Sequence, residues 1–171
     1  MKVEPLSVYH TAYICVGSNL GDKLDNCRRG IAELTRGEST RLIDQSLIYQ
    51  TEPVDYQDQD WFVNYAVKIE TTLEPLALLD RQKTIERDAG RMQDSIRFGP
   101  RVLDMDIIFY DDLVMDHQLL VIPHPRMHKR RFVLRPLCDI DPLINHPIFL
   151  RTVLSLLEDL DETGQRITEF T

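Results

Sequence analysis

Residues Leu103 to Tyr110 read Leu-Asp-Met-Asp-Ile-Ile-Phe-Tyr, and this run constrains the fold more than any other stretch of the chain. It reads as a β-strand, in which side chains two apart share a face. Asp104 and Asp106 then face one way, while Met105 and Ile107 face the other, into a core. The two aspartate Cα atoms would lie roughly 6.5 to 7 Å apart. Carboxylates converging at that spacing can hold one hard cation, or two cations about 4 Å apart. Two acids at the start of an apolar strand are costly to hold unless something positive compensates them. The simplest alternative is a pair of solvated carboxylates at a strand end. The neighbours argue against it: Arg91, Arg97 and Arg101 precede the pair, and His124, Arg126 and Arg130 follow it. Carboxylates amid guanidinium groups suit a metal-bridged polyphosphate, because Arg forks match phosphate oxygens and the acids hold Mg²⁺.

Charge distribution bears on the ligand class. The chain has 171 residues and a net charge of −8, which argues against nonspecific binding to nucleic acid. Fifteen of its twenty cationic residues are Arg, and nine of those lie between Arg81 and Arg135. A local Arg cluster on an acidic protein suits a small anionic ligand. Cys15, Cys27 and Cys138 have no metal-ligand spacing and read as reduced thiols. No signal peptide and no bilayer-spanning run is apparent, so a cytoplasmic location is expected.

In chain order, residues 1–11 read as a loose N-terminal extension and residues 12–171 as a single domain. Ala12 to Val16 is a β-prone first strand. Gly17-Ser18-Asn19-Leu20-Gly21 leads into a helix with Asp22 as N-cap and Leu24, Ile31 and Leu34 as its apolar stripe. That turn is compatible with an anion site at a helix N-terminus. Its spacing favours a tight βα connection instead, and it lacks the Lys and spacing of a P-loop. Ile43 to Thr51 reads as a second strand and Glu52 to Asp60 as a long polar loop. Trp61 to Thr72 is a third strand, on which Phe62, Asn64, Ala66 and Lys68 share a face. Asn64 is either a satisfied structural amide or a reader of a heterocycle edge, since its amide offers one donor and one acceptor there.

Pro75 suits the first turn of a helix running to Ala89, with Gly90 ending it and Leu76, Leu79, Lys83 and Glu86 along one side. The Arg-rich loop Arg91 to Pro100 is expected to be mobile without ligand and to close over it. Pro123-His124-Pro125 is a stiff turn that fixes where His124 points. Phe132 to Leu137 and Leu150 to Leu160 read as helices, and Gln165 to Phe170 as a short edge strand. The order β-α-β-β-α-β is the ferredoxin-like, split βαβ arrangement. The expected fold is therefore α+β: an antiparallel sheet with helices on one face, the other face left to loops and ligand, and extra C-terminal helices.

Several ordered blocks carry a resemblance: YICVGSNLGD (Tyr13 to Asp22), YQTEPV (Tyr49 to Val54), WFVN (Trp61 to Asn64), IERDAGR (Ile85 to Arg91), FGPRVLDMDIIFY (Phe98 to Tyr110) and IPHPRMHKRRFVLRPL (Ile122 to Leu137). With these in order, the chain resembles the 6-hydroxymethyl-7,8-dihydropterin pyrophosphokinase family from Ala12 to Leu160. The resemblance implies transfer of pyrophosphate from ATP to the pterin hydroxymethyl group, releasing AMP, in folate biosynthesis. It implies that Asp104 and Asp106 bind two Mg²⁺ and that Arg91 and Arg101 act with them as catalytic residues. Glu86, Arg91, Arg101, Ile107, His124 and Arg130 match ATP-contacting positions. Thr51, Val54, Phe62, Asn64, Phe98 and Phe132 match the pterin pocket, and the implied fold is again ferredoxin-like. Phe98 stands where the family usually has Trp, which keeps a stacking ring without the indole N–H. Gln93 stands where some members have a second loop Arg.

The reaction so implied is in-line attack of the pterin hydroxyl on the β-phosphorus of ATP by a monomer that binds only small molecules. A nucleotidyltransferase would use the same acids with attack at the α-phosphorus, and would release pyrophosphate instead of AMP. A ferredoxin-like nucleotide-binding module would bind without turnover. Metal binding by His124 and His128 is a further possibility, opposed by Pro125 between them and by the lack of a third ligand.

Overall fold

The structure, a computed structural model, describes residues 8–54, 57–90, 99–161 and 164–171. Among them, β1 (His10–Ser18), β3 (Tyr49–Thr51), β4 (Phe62–Thr71), β5 (Asp104–Tyr110) and β10 (Ile167–Glu169) form one antiparallel sheet in the order β10-β3-β4-β1-β5. A further strand, β2 (Thr40–Gln45), pairs with the far end of β4. The helices are α1 (Lys23–Leu34), α2 (Pro75–Asp88), α3 (Arg131–Ile140) and α4 (Val153–Glu158). Two small hairpins complete the chain: β6 (Met115–His117) with β7 (Leu120–Ile122), and β8 (Asn145–His146) with β9 (Arg151–Thr152). No helix among the described residues is long and apolar enough to cross a membrane.

Period-two alternation sorts each central strand between two cores. Ala12, Ile14 and Val16 of β1, Tyr65, Val67 and Ile69 of β4, and Met105 and Ile107 of β5 pack with Cys27, Ile31 and Leu34 of α1 and Leu78 and Ile85 of α2. Tyr13, Cys15, Ala66, Ile108 and Phe109 go to the opposite face, against Val133, Leu134 and Leu137 of α3 and Val153 and Leu156 of α4. The second face is therefore covered in part by helices, whereas the sequence suggested that loops and ligand alone would cover it. The hydrophobic stripe of α3 requires this: an apolar helix face must be buried against something.

Four local features depart from expectation. The anticipated strand Ile43 to Thr51 is two strands. Ser46 pairs with Ala66 through both its backbone and its hydroxyl, and then Leu47 and Ile48 stand where β4 has only Tyr65 before Tyr49 meets Asn64. The extra residue breaks the ladder. The helix expected over Leu150 to Leu160 is shorter, because the β8–β9 hairpin takes its first residues and Thr152 caps α4 by accepting from Ser155 N at 3.1 Å. The β6–β7 hairpin was not anticipated. At the other end, β1 begins at His10, so the last two residues of the expected extension are in the sheet, and His10 pairs with Asp111 at 2.7 Å.

Candidate active site

β5 delivers the acids as its alternation requires. Asp104 stands opposite Gly17 and Asp106 opposite Cys15 on β1, both half-buried and both on the face shared with α3. Arg101 approaches from the preceding loop, its Nη1 2.6 Å from Asp104 Oδ1. Burial, and then the charge of Asp104, raise the Asp106 carboxyl to about 6, against the opposing pull of Lys83 and Arg130. No third His, Cys, Asp or Glu among the described residues joins the pair in a metal cluster. A hard cation would thus complete its shell from water and from phosphate oxygens, which is how Mg²⁺ usually binds. The donor set fits such an ion: two carboxylates held together against their mutual repulsion, one of them already paired with a guanidinium cation.

Arg101 is held by the turn after β1. Asn19 is fully buried; its N–H donates to Arg101 O at 3.0 Å and its Oδ1 accepts from Arg101 N at 2.7 Å. Its Nδ2 donates to Gln59 Oε1 at 2.9 Å and to Asp60 O at 3.0 Å. The Gly-Ser-Asn-Leu-Gly segment is therefore a connection that also ties two loops. The N-terminus of α1 is capped by Asp22, whose carboxylate accepts from Asp25 N.

His124 is placed by a bulge. Between Tyr13 and Ile14 the β1–β5 register slips, leaving Ile108 as the extra residue, and His124 N donates to Ile108 O at 3.0 Å. His124 Nδ1 accepts from Arg126 N at 3.2 Å, which makes Nε2 the proton-bearing nitrogen of the neutral ring. Burial, then Arg130 and Arg126, push its pKa down to about 4, so it is neutral at pH 7. The His128 ring packs edge-on against Phe149 at 4.9 Å, and no group of three metal-ligating side chains includes it among the described residues.

One cleft gathers most of the candidates. Asp104, Asp106, Arg101, His124, Arg126 and Arg130 line one end, and Thr51, Val54, Phe62, Asn64 and Phe132 line the rest. Asn64 is buried and donates from Nδ2 to Thr51 Oγ1 at 2.6 Å. Its Oδ1 lies over Gly17, where an added Cβ would be 2.2 Å away, so only glycine leaves it room. The Arg130 guanidinium lies 5.4 Å from the Phe132 ring centre, joining the cationic end to the aromatic one. Arg91, Gln93, Arg97 and Phe98 lie outside the described residues.

A second cleft opens from Asp106 and His124 toward the β6–β7 hairpin. It is lined by Leu79, Lys83, Ile107, Leu119, Leu120 and Pro125, among others. Ile107 thus belongs here. Glu86 lines neither cleft: it is fully buried, accepts from Met105 N at 2.8 Å, and holds Lys83 Nζ at 2.9 Å. Sequence reasoning missed Lys83, the hairpin residues, Gln59 and Gln165 as cleft-lining groups. Lys83 had left a signal, since it shares the helix side that carries Leu79 and Glu86. The hairpin turn has no Gly, Pro or Asn to announce it.

Comparison with known proteins adds three findings. A family model described as 7,8-dihydro-6-hydroxymethylpterin-pyrophosphokinase (HPPK) matches residues 13–142. The 2-amino-4-hydroxy-6-hydroxymethyldihydropteridine pyrophosphokinase of Bacillus subtilis is 42% identical over 129 residues, covering 75% of this chain and 77% of that protein. The protein of the same name in Methylorubrum extorquens is 39% identical over 153 residues, covering 90% and 95%. The folic acid synthesis protein fol1 of Schizosaccharomyces pombe is 38% identical over 156 residues, but the chain spans only 21% of its length. Among solved structures, Plasmodium falciparum HPPK-DHPS with pteroate superposes with a TM-score of 0.70 at 14% identity, covering 91% of this chain and 43% of that one. At that identity the likeness concerns the fold alone.

Proposed function

The chain belongs to the 7,8-dihydro-6-hydroxymethylpterin-pyrophosphokinase family, and on that footing we propose that it transfers pyrophosphate from ATP to the hydroxymethyl group of 6-hydroxymethyl-7,8-dihydropterin in folate synthesis. The observation that carries this reading is the union, in one cleft, of the Asp104–Asp106 carboxylate pair and Arg101 and Arg130 with Phe62, Phe132 and the buried Asn64 amide. The second cleft, opening from Asp106 and His124 and lined in part by Leu79, Ile107, Leu119 and Leu120, suits a nucleotide base. We read the frame β1-α1-β2/β3-β4-α2-β5 as ferredoxin-like, and the enzyme as a monomer whose cleft is built from a single chain.

Asn64 and Thr51 would fix the pterin by its hydrogen-bonding edge, with Phe62, Val54 and Phe132 against its faces. That orientation points the hydroxymethyl oxygen toward the acids. The oxygen would attack the β-phosphorus in line and give up its proton, which Asp106 could accept, while the bond from that phosphorus to the α-bridging oxygen breaks and AMP leaves. Asp104 and Asp106 would hold two Mg²⁺, which when bound neutralise phosphate charge and make the hydroxyl more acidic. Arg101 and Arg130, with Arg91, would stabilise charge on the transferring group. His124 would donate from Nε2 to a phosphate oxygen, a role open to a neutral imidazole. Lys83, held by Glu86, would face the nucleotide.

The test is purified protein with ATP, Mg²⁺ and the hydroxymethyl-dihydropterin, with products resolved. AMP and the pterin diphosphate are expected. Pyrophosphate release would instead indicate nucleotidyl transfer, and binding without turnover a silent module; either would overturn the proposal.

A further inference from the structure

Gln165 lies beyond the residues that the family model matches, yet it lines the cleft. It is 8% exposed and precedes β10, whose Ile167 pairs with Thr51. Its Nε2 donates to Glu52 O at 2.7 Å, and its Oε1 accepts from Phe132 N at 3.3 Å. One amide therefore spans the two walls of the aromatic slot: the Thr51–Val54 segment on one side and Phe132, at the start of α3, on the other. Phe132 needs such support. Pro136 inside α3 has no N–H to give the Phe132 carbonyl, which accepts a weak contact from the Cys15 thiol at 4.0 Å. Its N–H, in the first helical turn, has no intrahelical acceptor either. The Glu52 wall is tied to the same tail a second time, since Glu52 N donates to Arg166 O at 3.0 Å.

We propose that Gln165 is a positioning residue that sets the width of the pterin slot, so that the C-terminal strand is a working part of the site. This rests on the reading of the cleft as a pterin site. Gln165 acts through Phe132 and Glu52, and its loss widens the slot without touching the acids or the second cleft.

The test compares wild type with Gln165→Met, which keeps length and shape and loses both hydrogen bonds, and with Gln165→Glu, which keeps only the acceptor for Phe132 N. Gln165→Met should raise the KM for the hydroxymethyl-dihydropterin about tenfold, with kcat and the KM for ATP nearly unchanged. Gln165→Glu should fall between the two. An unchanged pterin KM in an active Gln165→Met, or equal changes in the ATP and pterin constants, would overturn the proposal. Should Gln165→Met not fold, the partial rescue expected of Gln165→Glu decides, and a wild-type pterin KM there overturns it as well. A wild-type protein without turnover would instead overturn the reading of the cleft, and this inference with it.

Discussion

On β4, Tyr65, Val67 and Ile69 turn into a core closed by α1 and α2, while Phe62, Asn64 and Lys68, one residue out of phase, turn toward the face that carries α3 and the cleft. β5 divides in the same way, with Met105 and Ile107 against Asp104 and Asp106. The same strands thus build a dry face and a polar one. The dry face gains from every methylene it buries. The cleft face holds two carboxylates and an amide whose burial works against folding. Removing a cleft group should therefore affect chemistry far more than stability, and removing a dry-face group should do the reverse.

The largest expected effect is on turnover. Asp106→Ala and Asp104→Ala should each lower kcat on the order of 10³-fold or more, while the melting temperature of the ligand-free protein holds or rises as like-charge repulsion is relieved. The pH dependence follows from the raised Asp106. Folded Asp106 keeps its proton in a range where the unfolded chain has lost it, so its contribution to stability is complete at low pH. That contribution is lost as pH rises from the ordinary carboxylate range to about 6. Melting temperature measured against pH should show this decline in ligand-free wild type and not in Asp106→Ala, and added Mg²⁺ should reverse it. Near-normal turnover in either variant would remove the acids from the reaction.

Leu78→Ala is the converse. Leu78 is fully buried in the dry core and lines neither cleft. Denaturant titration should show a loss of about 2 to 5 kcal/mol, with turnover per folded molecule nearly unchanged. A turnover loss as large as that of Asp106→Ala would show that the two faces are not separable. Asn64→Ala comes next, with pterin affinity weakened by about 1 to 3 kcal/mol and ATP affinity hardly moved. Gly17→Ala should imitate it, because the new Cβ would displace the Asn64 amide. Calorimetric titration with each ligand checks both, and a loss on the ATP side would misplace Asn64.

The dry face was easier to read from sequence than the cleft. Alternation along Ala12 to Val16, Trp61 to Thr72 and Leu103 to Tyr110 depends on a period that any buried strand must keep, and β1, β4 and β5 follow it. The acids were legible for the same reason, as period-two exceptions in an apolar run. What escaped was set by tertiary contacts between distant segments. Glu86 sits beside Lys83 on α2, yet its carboxylate is turned to the β5 backbone, which no local pattern announces. The bulge at Ile108 that seats His124, and the Gln165 amide that joins Glu52 to Phe132, arise where chain segments meet and leave no periodic trace.

The smallest predicted effect probes an unpartnered polar side chain on the dry face. Gln82 lies on α2 between Leu78 and Ile85, is fully buried, and neither of its amide atoms has a hydrogen-bond partner among the described residues. An amide buried without a partner is disfavoured by about 1 to 3 kcal/mol. Leu has a similar volume and nothing to satisfy, so Gln82→Leu should stabilise the protein by about 1 kcal/mol. In a domain of this size that is a rise in melting temperature of roughly 2 to 4 °C. Turnover should stay as in wild type, since Gln82 lines neither cleft. Scanning calorimetry of the ligand-free protein measures the shift. A lower melting temperature would mean that the Gln82 amide is satisfied by water or by residues outside those described, and the division between a dry and a polar face would then have to be redrawn at α2.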